Sequence, residues 1–162
     1  PGLSECGFMT AQELLDGKRV CGKKALVVGG GMVGCEAAEF LAERGHEVSV
    51  IEMKDVIAAD VTPESRRYMF EAFREHNVGL YPGAKVGQFH TDGVDYTLAD
   101  GTPGSLRGFD SIVLAMGSRA NAALQETAET VCSQVLVIGE AAKALGNAVT
   151  ATTDALHAAL QV

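Results

Sequence analysis

A glycine-rich turn between two apolar segments constrains the fold of this chain more than any other feature. Residues 25–28 form a short apolar run without polar alternation, which is typical of a strand buried on both faces. The glycines that follow it fit the pattern G-x-G-x-x-G at Gly29, Gly31 and Gly34. In that pattern the first glycine allows a tight turn, the second lets the backbone approach a pyrophosphate, and the third lets a helix pack close to the strand.

The segment after the glycines completes a strand–helix–strand unit. A helical pattern ends at Gly45, and a second apolar segment at residues 48–51 is closed by Glu52. An acid at this position can accept hydrogen bonds from the hydroxyls of an adenosine ribose, while the helix start attracts phosphate. A lone glycine pattern is weak evidence because ligand-free tight loops share it. The complete order of strand, glycines, helix, strand and acid predicts dinucleotide binding.

The rest of the chain predicts an α/β fold with a Rossmann-like, three-layer parallel sheet. Thr10 and Glu13 fit a capping box for a short first helix, and Thr62 caps a later helix that ends near residue 77. Residues 78–81 and 111–117 read as the third and fourth strands. Between them, from residue 84 onward, short apolar segments alternate with tight turns, which predicts a small antiparallel β-meander insert.

The last section of the chain predicts one more strand and one more helix. In the segment 134–138, Gln134 is followed by four apolar residues that lead into Gly139 and Glu140, a pattern typical of a buried strand that ends in glycine and an acid. Small residues then recur at helical spacing from Ala148 to Val162. We expect this helix to pack closely on a sheet through its alanine face.

Composition and charge exclude several classes of function. The 162 residues are 47% apolar and suit one domain with its own core. The net charge of −8, without a basic cluster, argues against nucleic acid or an anionic membrane as partner. No apolar run approaches the roughly 18 residues that a membrane-spanning helix needs. The four cysteines are widely spaced, which predicts neither a metal site nor a redox dithiol and favours reduced thiols in the cytoplasm.

The glycine block and a second motif resemble the NAD(P)H-binding domain of the pyridine nucleotide–disulfide oxidoreductase superfamily. The resemblance rests on residues 27–36 with Glu52, and on residues 114–121, which read LAMGSRAN. The family has Ala-Thr-Gly in the second motif, whereas this chain has Met116 in place of the threonine. Within the superfamily, the chain is most similar to the NADH:flavin oxidoreductases related to 2,4-dienoyl-CoA reductase and old yellow enzyme, which also lack the cysteine pair.

The resemblance implies an oxidoreductase domain that binds NADH and delivers hydride to FAD or FMN held by other parts of a longer enzyme. It divides the chain into a lead-in at residues 1–22, an NAD(P)H-binding domain at 23–121, and a strand and helix at 122–162 that return to an FAD domain. The family strand that contacts flavin ends in Gly-Asp, and here Glu140 replaces the aspartate. We therefore expect an excised C-terminal piece of a flavoprotein, without turnover in isolation.

The candidate site comprises the glycine turn and the ends of the second and fourth strands. Glu52 would repel a 2′-phosphate, and the loop after it offers Lys54 against Asp55 and Asp60, so we expect NAD(H) rather than NADP(H). We predict no catalytic residue and no metal ligand. The candidate cofactor-binding residues are Gly29, Gly30, Gly31, Met32, Val33, Gly34, Glu36, Glu52, Met53, Lys54, Val86, Ala115, Met116 and Gly117.

Two other functions fit the same glycine pattern. A non-enzymatic dinucleotide-binding or redox-sensing module would use the same turn. A stand-alone dehydrogenase would need an acid or base near the nicotinamide, but the histidines lie beside helix ends, in a hairpin or in the last helix, without an obvious partner acid. Cys35 and Glu36 follow the glycines, where they could serve the nucleotide or only packing and the helix dipole.

The apolar residues 135–138 and the alanine face of the last helix need a covering surface. Each buried side chain of this size contributes about 1.5–3 kcal/mol to stability. The segment could fold back as another strand on its own sheet, or a second copy of the chain could cover it. We expect a homodimer, because in the family this strand belongs to another sheet.

Overall fold

The computed structural model describes residues 1–144 and 146–161 and contains two compact units, Pro1–Met116 and a second unit that begins at Gly117. Both helices and strands occur in the first unit, which holds the glycine turn. Its elements are β1 (Met9–Thr10), α1 (Ala11–Leu15), β2 (Lys24–Val28), α2 (Met32–Ala42), β3 (Glu47–Ile51), α3 (Pro63–Glu75), β4 (Gly79–Tyr81), β5 (Ala84–His90), β6 (Gly93–Leu98), β7 (Pro103–Leu106) and β8 (Ser111–Leu114).

A five-stranded parallel sheet forms the centre of the first unit, with the strand order β1-β8-β2-β3-β4. Strand β2 lies between β3 and β8, and Val28 is in register with Ile51 on one side and Leu114 on the other. Both edges of β2 are therefore hydrogen-bonded and both of its faces are covered, as its unbroken apolar sequence predicts. The expected α/β fold with a parallel sheet is confirmed.

Alternate residues of β2 face two different apolar clusters. Ala25 and Val27 pack with residues of the helices, including Leu41 and Phe73, whereas Leu26 and Val28 belong to a second cluster. That second cluster includes residues of a three-stranded antiparallel sheet with the order β5-β6-β7. The antiparallel sheet follows β4 and precedes β8, so the predicted insert between the third and fourth strands is confirmed.

The helix caps follow the sequence closely. The Thr10 amide donates to Glu13 Oε2 at 2.8 Å, and the Glu13 amide donates to Thr10 Oγ1 at 3.1 Å, which completes the capping box of α1. Thr62 caps α3, and Pro63 is its first residue. Strand β1 was not predicted, because two residues are too short for a period of two to be visible.

The second unit contains helices and no strand among its described residues. The predicted strand at residues 134–138 is wrong: the segment joins no sheet and makes no backbone–backbone hydrogen bond to any described residue, and Leu136 and Ile138 are each 39% exposed. A strand requires a neighbour for its N–H and C=O groups, and none is provided. For the same reason, the alternative that this segment folds back as another strand on its own sheet is wrong. The helices are α4 (Gln125–Glu129), a 3-10 helix (Gly139–Ala141) and α5 (Ala148–Ala159).

Helix α5 confirms the last predicted helix but not its expected packing. Asn147 caps it by accepting a hydrogen bond from the Thr150 amide at 2.9 Å. None of the residues of α5 is buried, so its alanine face is not packed on a sheet. Val162, the last residue of the predicted pattern, lies outside the described residues. None of the described helices combines the length and apolar character that crossing a membrane requires.

Candidate functional site

The glycine turn follows β2 at the carboxyl end of the parallel sheet, where open α/β sheets bind ligands. Gly29 has a φ of +107°, and a Cβ added there would lie 2.3 Å from the carbonyl oxygen of Ala115. A Cβ added to Gly34 would lie 1.9 Å from the carbonyl oxygen of Gly29. These two contacts explain the first and third glycines: the turn packs against the end of β8, and helix α2 packs against the turn.

The amino end of α2 carries an unexpected partner. Gly31 is the cap residue of α2 and supplies no side-chain acceptor. The Met32 amide instead donates to both carboxylate oxygens of Asp60, at 2.9 and 3.1 Å. From the sequence, Asp60 was expected to act only as a negative charge in the loop after β3. Its contact with the helix start joins residues 28 positions apart, which no local pattern reveals.

The Glu52 carboxylate is held at the end of β3 by two backbone amides. Gly30 N–H donates to Oε2 at 2.6 Å, and Lys54 N–H donates to Oε1 at 2.9 Å. A Cβ added to Gly30 would lie 2.9 Å from Glu52 Cβ, so the turn and the acid are in close contact. The acid predicted to recognise ribose is thus fixed directly beside the glycine turn.

Most of the other candidate residues are exposed, and their positions differ. The Ala115 amide donates to the Val28 carbonyl at 2.8 Å, which holds the end of β8 beside the turn. Gly117, with a φ of +86°, is the first residue of the second unit. Val86 is not brought to the turn, because it lies in β5 opposite Tyr96 and packs in the second apolar cluster. Exposed residues of the first unit among the candidates are Met32, Val33, Glu36, Met53, Lys54 and Met116.

Cys35 is buried beneath the turn, and its thiol donates to the Gly30 carbonyl oxygen at 3.4 Å. Burial, and next the negative charge of Asp60, raises the pKa of this thiol to about 12. A nucleophilic cysteine needs the opposite shift, because the thiolate is the reactive form. The structure therefore favours the packing interpretation of Cys35.

The histidines with side-chain hydrogen bonds have partners away from the glycine turn. His46, just before β3, places Nδ1 2.7 Å from the Gly22 carbonyl oxygen. His90, in β5, places Nε2 2.8 Å from Asp95 Oδ2. Within residues 1–144 and 146–161, no group of three or more His, Cys, Asp or Glu side chains is arranged to hold a metal ion. The side-chain hydrogen bonds of these two histidines therefore lie outside the candidate site.

Comparison with known proteins gives consistent matches. The family model described as pyridine nucleotide-disulphide oxidoreductase matches residues 2–155. A bilirubin reductase of Mediterraneibacter gnavus (strain CC55_001C) is 36% identical over 130 residues, covering 80% of this chain and 20% of that protein. An NADH oxidase of Thermoanaerobacter brockii is 34% identical over 141 residues, covering 86% of this chain and 21% of that protein.

A solved structure extends the similarity to the fold. The structure of a 2-naphthoyl-CoA reductase with 2-naphthoyl-CoA matches with a TM-score of 0.83 and 26% identity, covering 94% of this chain and 23% of that one. The chain spans about a fifth of the length of these curated relatives.

Proposed function

The chain belongs to the pyridine nucleotide-disulphide oxidoreductase family, and we propose that it binds NAD(H) at the glycine turn and presents the nicotinamide to a flavin in a longer enzyme. The observation that carries this proposal is the Glu52 carboxylate, which Gly30 N–H holds beside the start of α2. This contact supports the proposal because it brings the acid that would bind the ribose next to the helix end that would bind the phosphate. Bound NADH would supply the hydride, and the residues of this chain bind and orient it.

The residues at the turn fit a dinucleotide. A Cβ added to Gly31 would lie 3.2 Å from Asp60 Oδ2, so the glycine leaves room beside the start of α2 that Asp60 occupies in this structure. The Met32 amide is the donor that the pyrophosphate would use, and the dipole of α2 favours its negative charge. Asp60 now occupies this amide, so nucleotide binding requires the Asp60 carboxylate to leave.

We place the two halves of the nucleotide at different strand ends. The adenosine lies toward Glu52, Met53 and Lys54, and the nicotinamide lies toward Met116 and Gly117. This assignment is supported by the adjacency of β3, β2 and β8 in the sheet. Glu36, exposed on α2, is proposed to line the nicotinamide half.

A preference for NAD(H) over NADP(H) follows from the charge at the end of β3. The Glu52 carboxylate would repel a 2′-phosphate, and its hydrogen bonds to two amides prevent it from turning away. Calorimetric titration should show NADH binding at least about tenfold more tightly than NADPH. Glu52→Arg should narrow or reverse the preference for NADH over NADPH. Asp55→Arg is the control, because it makes the same change of charge in the loop and keeps Glu52. Tighter binding of NADPH by the parent chain would contradict the proposal.

The rest of the enzyme is proposed to hold the flavin. Residues 23–121 would form the NAD(P)H-binding domain after a lead-in at 1–22, and residues 122–162 would complete a flavin domain. The described residues do not themselves fit a flavin site of this kind, because the segment before Gly139 lies outside any sheet. The NADH oxidase relative and the 2-naphthoyl-CoA reductase structure support a branch related to 2,4-dienoyl-CoA reductase and old yellow enzyme.

The isolated chain is proposed to have no turnover, because hydride leaving NADH has no acceptor. NADH oxidation should stay at the buffer rate, and a yellow purified protein with bound flavin would contradict this. Detection of flavin in a longer protein that contains this sequence would favour an enzyme over a binding or sensing module. The described cysteines are all free thiols, which supports a proposed cytoplasmic location.

A homodimer is proposed for the isolated chain. Exposed apolar residues of the second unit support it, and a second copy would cover them. These residues are Leu124, Val131, Leu136, Ile138, Val149, Leu156 and Leu160. Light scattering should show a dimer, and deletion of residues 134–162 should leave a monomer that still binds NADH. A monomeric intact chain at high concentration would exclude the dimer.

A further inference from the structure

The methionines of this chain fall into two groups by exposure. The sequence contains five of them. Met9 and Met69 are core residues that are 4% and 7% exposed. Met32, Met53 and Met116 are 45%, 64% and 58% exposed. A single exposed apolar side chain needs no explanation, whereas several exposed methionines around one structural feature are informative.

The exposed group surrounds a single structural feature, the glycine turn. Met32 is the first residue of α2, directly after the turn. Met53 follows Glu52, whose carboxylate accepts the Gly30 amide. The Met116 amide lies 3.3 Å from the point where a Cβ of Gly29 would sit. Met32, Met53 and Met116 therefore follow the carboxyl ends of three adjacent strands, β2, β3 and β8, and we call them the methionine rim.

We propose that the methionine rim makes NAD(H) binding sensitive to peroxide, because it supplies apolar contacts to the nucleotide that methionine oxidation removes. This inference rests on the proposed function. A polarizable thioether makes favourable contacts with aromatic rings such as adenine and nicotinamide. A peroxide transfers one oxygen atom to the sulfur: an S–O bond forms, the O–O bond breaks, the thioether loses two electrons and the peroxide is reduced to water or an alcohol. The sulfoxide is polar and is a poorer partner for a ring.

The cysteines of the first unit are poor competitors for the oxidant. Cys6, Cys21 and Cys35 are buried, and the raised pKa of the Cys35 thiol keeps it protonated at neutral pH. Cys132 is exposed but lies in the second unit. Sulfenic acids and disulfides are reversed by thiols, whereas methionine sulfoxide is not, so a thiol wash separates the two chemistries.

The test is a titration with NADH before and after oxidation of the 162-residue chain. The protein is treated with hydrogen peroxide, catalase removes the excess, dithiothreitol reduces cysteine products, and peptide mass spectrometry locates the sulfoxides. We expect the methionine rim to be oxidised before Met9 and Met69. Saturating NADH should slow the oxidation of the methionine rim. Oxidation of the rim should raise the Kd for NADH about tenfold. Methionine sulfoxide reductases should restore the original Kd.

Two variants separate this effect from general damage. The first variant replaces all three residues of the rim: Met32→Leu/Met53→Leu/Met116→Leu. Its Kd for NADH should be the same before and after peroxide treatment. Met9→Leu/Met69→Leu, which alters only core positions, should bind like the parent and lose affinity on oxidation like the parent.

Several outcomes would overturn the inference. These are an unchanged Kd in protein with all three rim sulfoxides, equal oxidation rates for rim and core methionines, recovery by dithiothreitol alone, or the absence of protection by NADH. If the untreated chain does not bind NADH, the proposed function fails and this inference fails with it.

Discussion

Residues 26–29 read Leu-Val-Val-Gly and residues 136–139 read Leu-Val-Ile-Gly, so the two segments differ by one methylene group. Both glycines have a positive φ, +107° for Gly29 and +60° for Gly139, and helical residues follow both. The first segment ends a fully buried strand with partners on both edges. The second belongs to no sheet and is partly exposed. A strand is thus a property of its neighbours as much as of its own residues.

The two segments also differ in how strongly burial and hydrogen bonding stabilise them. In residues 26–28, burial of each apolar side chain contributes about 1.5–3 kcal/mol, and the neighbouring strands satisfy the backbone groups. The side chains of residues 136–138 are only partly buried, so burial stabilises them less. No described residue forms a backbone hydrogen bond with this segment. Perturbations of the two segments should therefore have different effects.

Hydrogen exchange should show the largest difference. Amides of residues 25–28 can exchange only when the parallel sheet opens, whereas amides of residues 135–138 have no backbone acceptor among the described residues. At low micromolar concentration we expect protection to differ by about 10³-fold or more, measured by mass spectrometry of proteolytic peptides. Protection of 135–138 that rises with protein concentration would identify a second copy as the partner. Protection that is independent of concentration would contradict the unpaired segment.

Cysteine labelling compares the same two regions by chemistry. Cys35 lies under the first glycine turn, and burial raises its pKa to about 12, whereas Cys132 is exposed. At pH 8 the thiolate fraction of Cys35 should be about 10³-fold below that of an ordinary thiol, so iodoacetamide should label Cys132 and leave Cys35 unmodified. The labelling rate of Cys35 should rise with pH up to about pH 12. Rapid labelling of Cys35 in Cys132→Ala would contradict this.

Paired truncations should separate the segments by stability. Leu26→Ala removes a fully buried side chain and should lower the free energy of unfolding by about 2–5 kcal/mol. Leu136→Ala, at a partly exposed side chain, should cost less than about 1 kcal/mol. Urea unfolding can be followed by tyrosine fluorescence for the first unit, which contains all three tyrosines, and by circular dichroism for the whole chain. Equal losses in the free energy of unfolding would contradict the difference between the two segments.

The two glycine turns also differ in what their acids should do. Asp60 accepts the Met32 amide after the first turn, and Asp154 accepts the Gly139 amide at the second, at 3.2 Å. Asp60→Asn removes a charge that competes with pyrophosphate, so the affinity for NADH should rise about tenfold. Asp154→Asn is the matched control and should leave that affinity unchanged. Weaker binding by Asp60→Asn would show that Asp60 does not compete.

Local patterns predicted what local physics determines. The turn from β2 into α2, the capping box of α1 and the Thr62 cap of α3 depend on residues within a few positions, so they were predicted from the sequence. The pairing of β1 with β8 joins residues about a hundred positions apart, Met9 and Val113, and was missed. The strand at residues 134–138 was wrong for the same reason, because no local pattern shows whether a neighbour exists.

The candidate site also contains features that the sequence predicted and features that it did not. The glycines and Glu52 were found from their spacing, which the strand–helix–strand unit fixes. Their use in NAD(H) binding stays a prediction. The contact of Asp60 with Met32 and the hydrogen bond of Gly30 to Glu52 depend on how two loops meet, and the sequence holds no periodic trace of either.

The two hydrogen bonds of Glu52 have a consequence for how cofactor preference can evolve. Its carboxylate is the acceptor for the Gly30 amide as well as the group that would contact a ribose. A single change to arginine gains a cation for a 2′-phosphate and leaves the Gly30 amide without its acceptor. A change of cofactor preference at this position therefore also costs the turn one hydrogen bond, which a second substitution near Gly30 would have to restore.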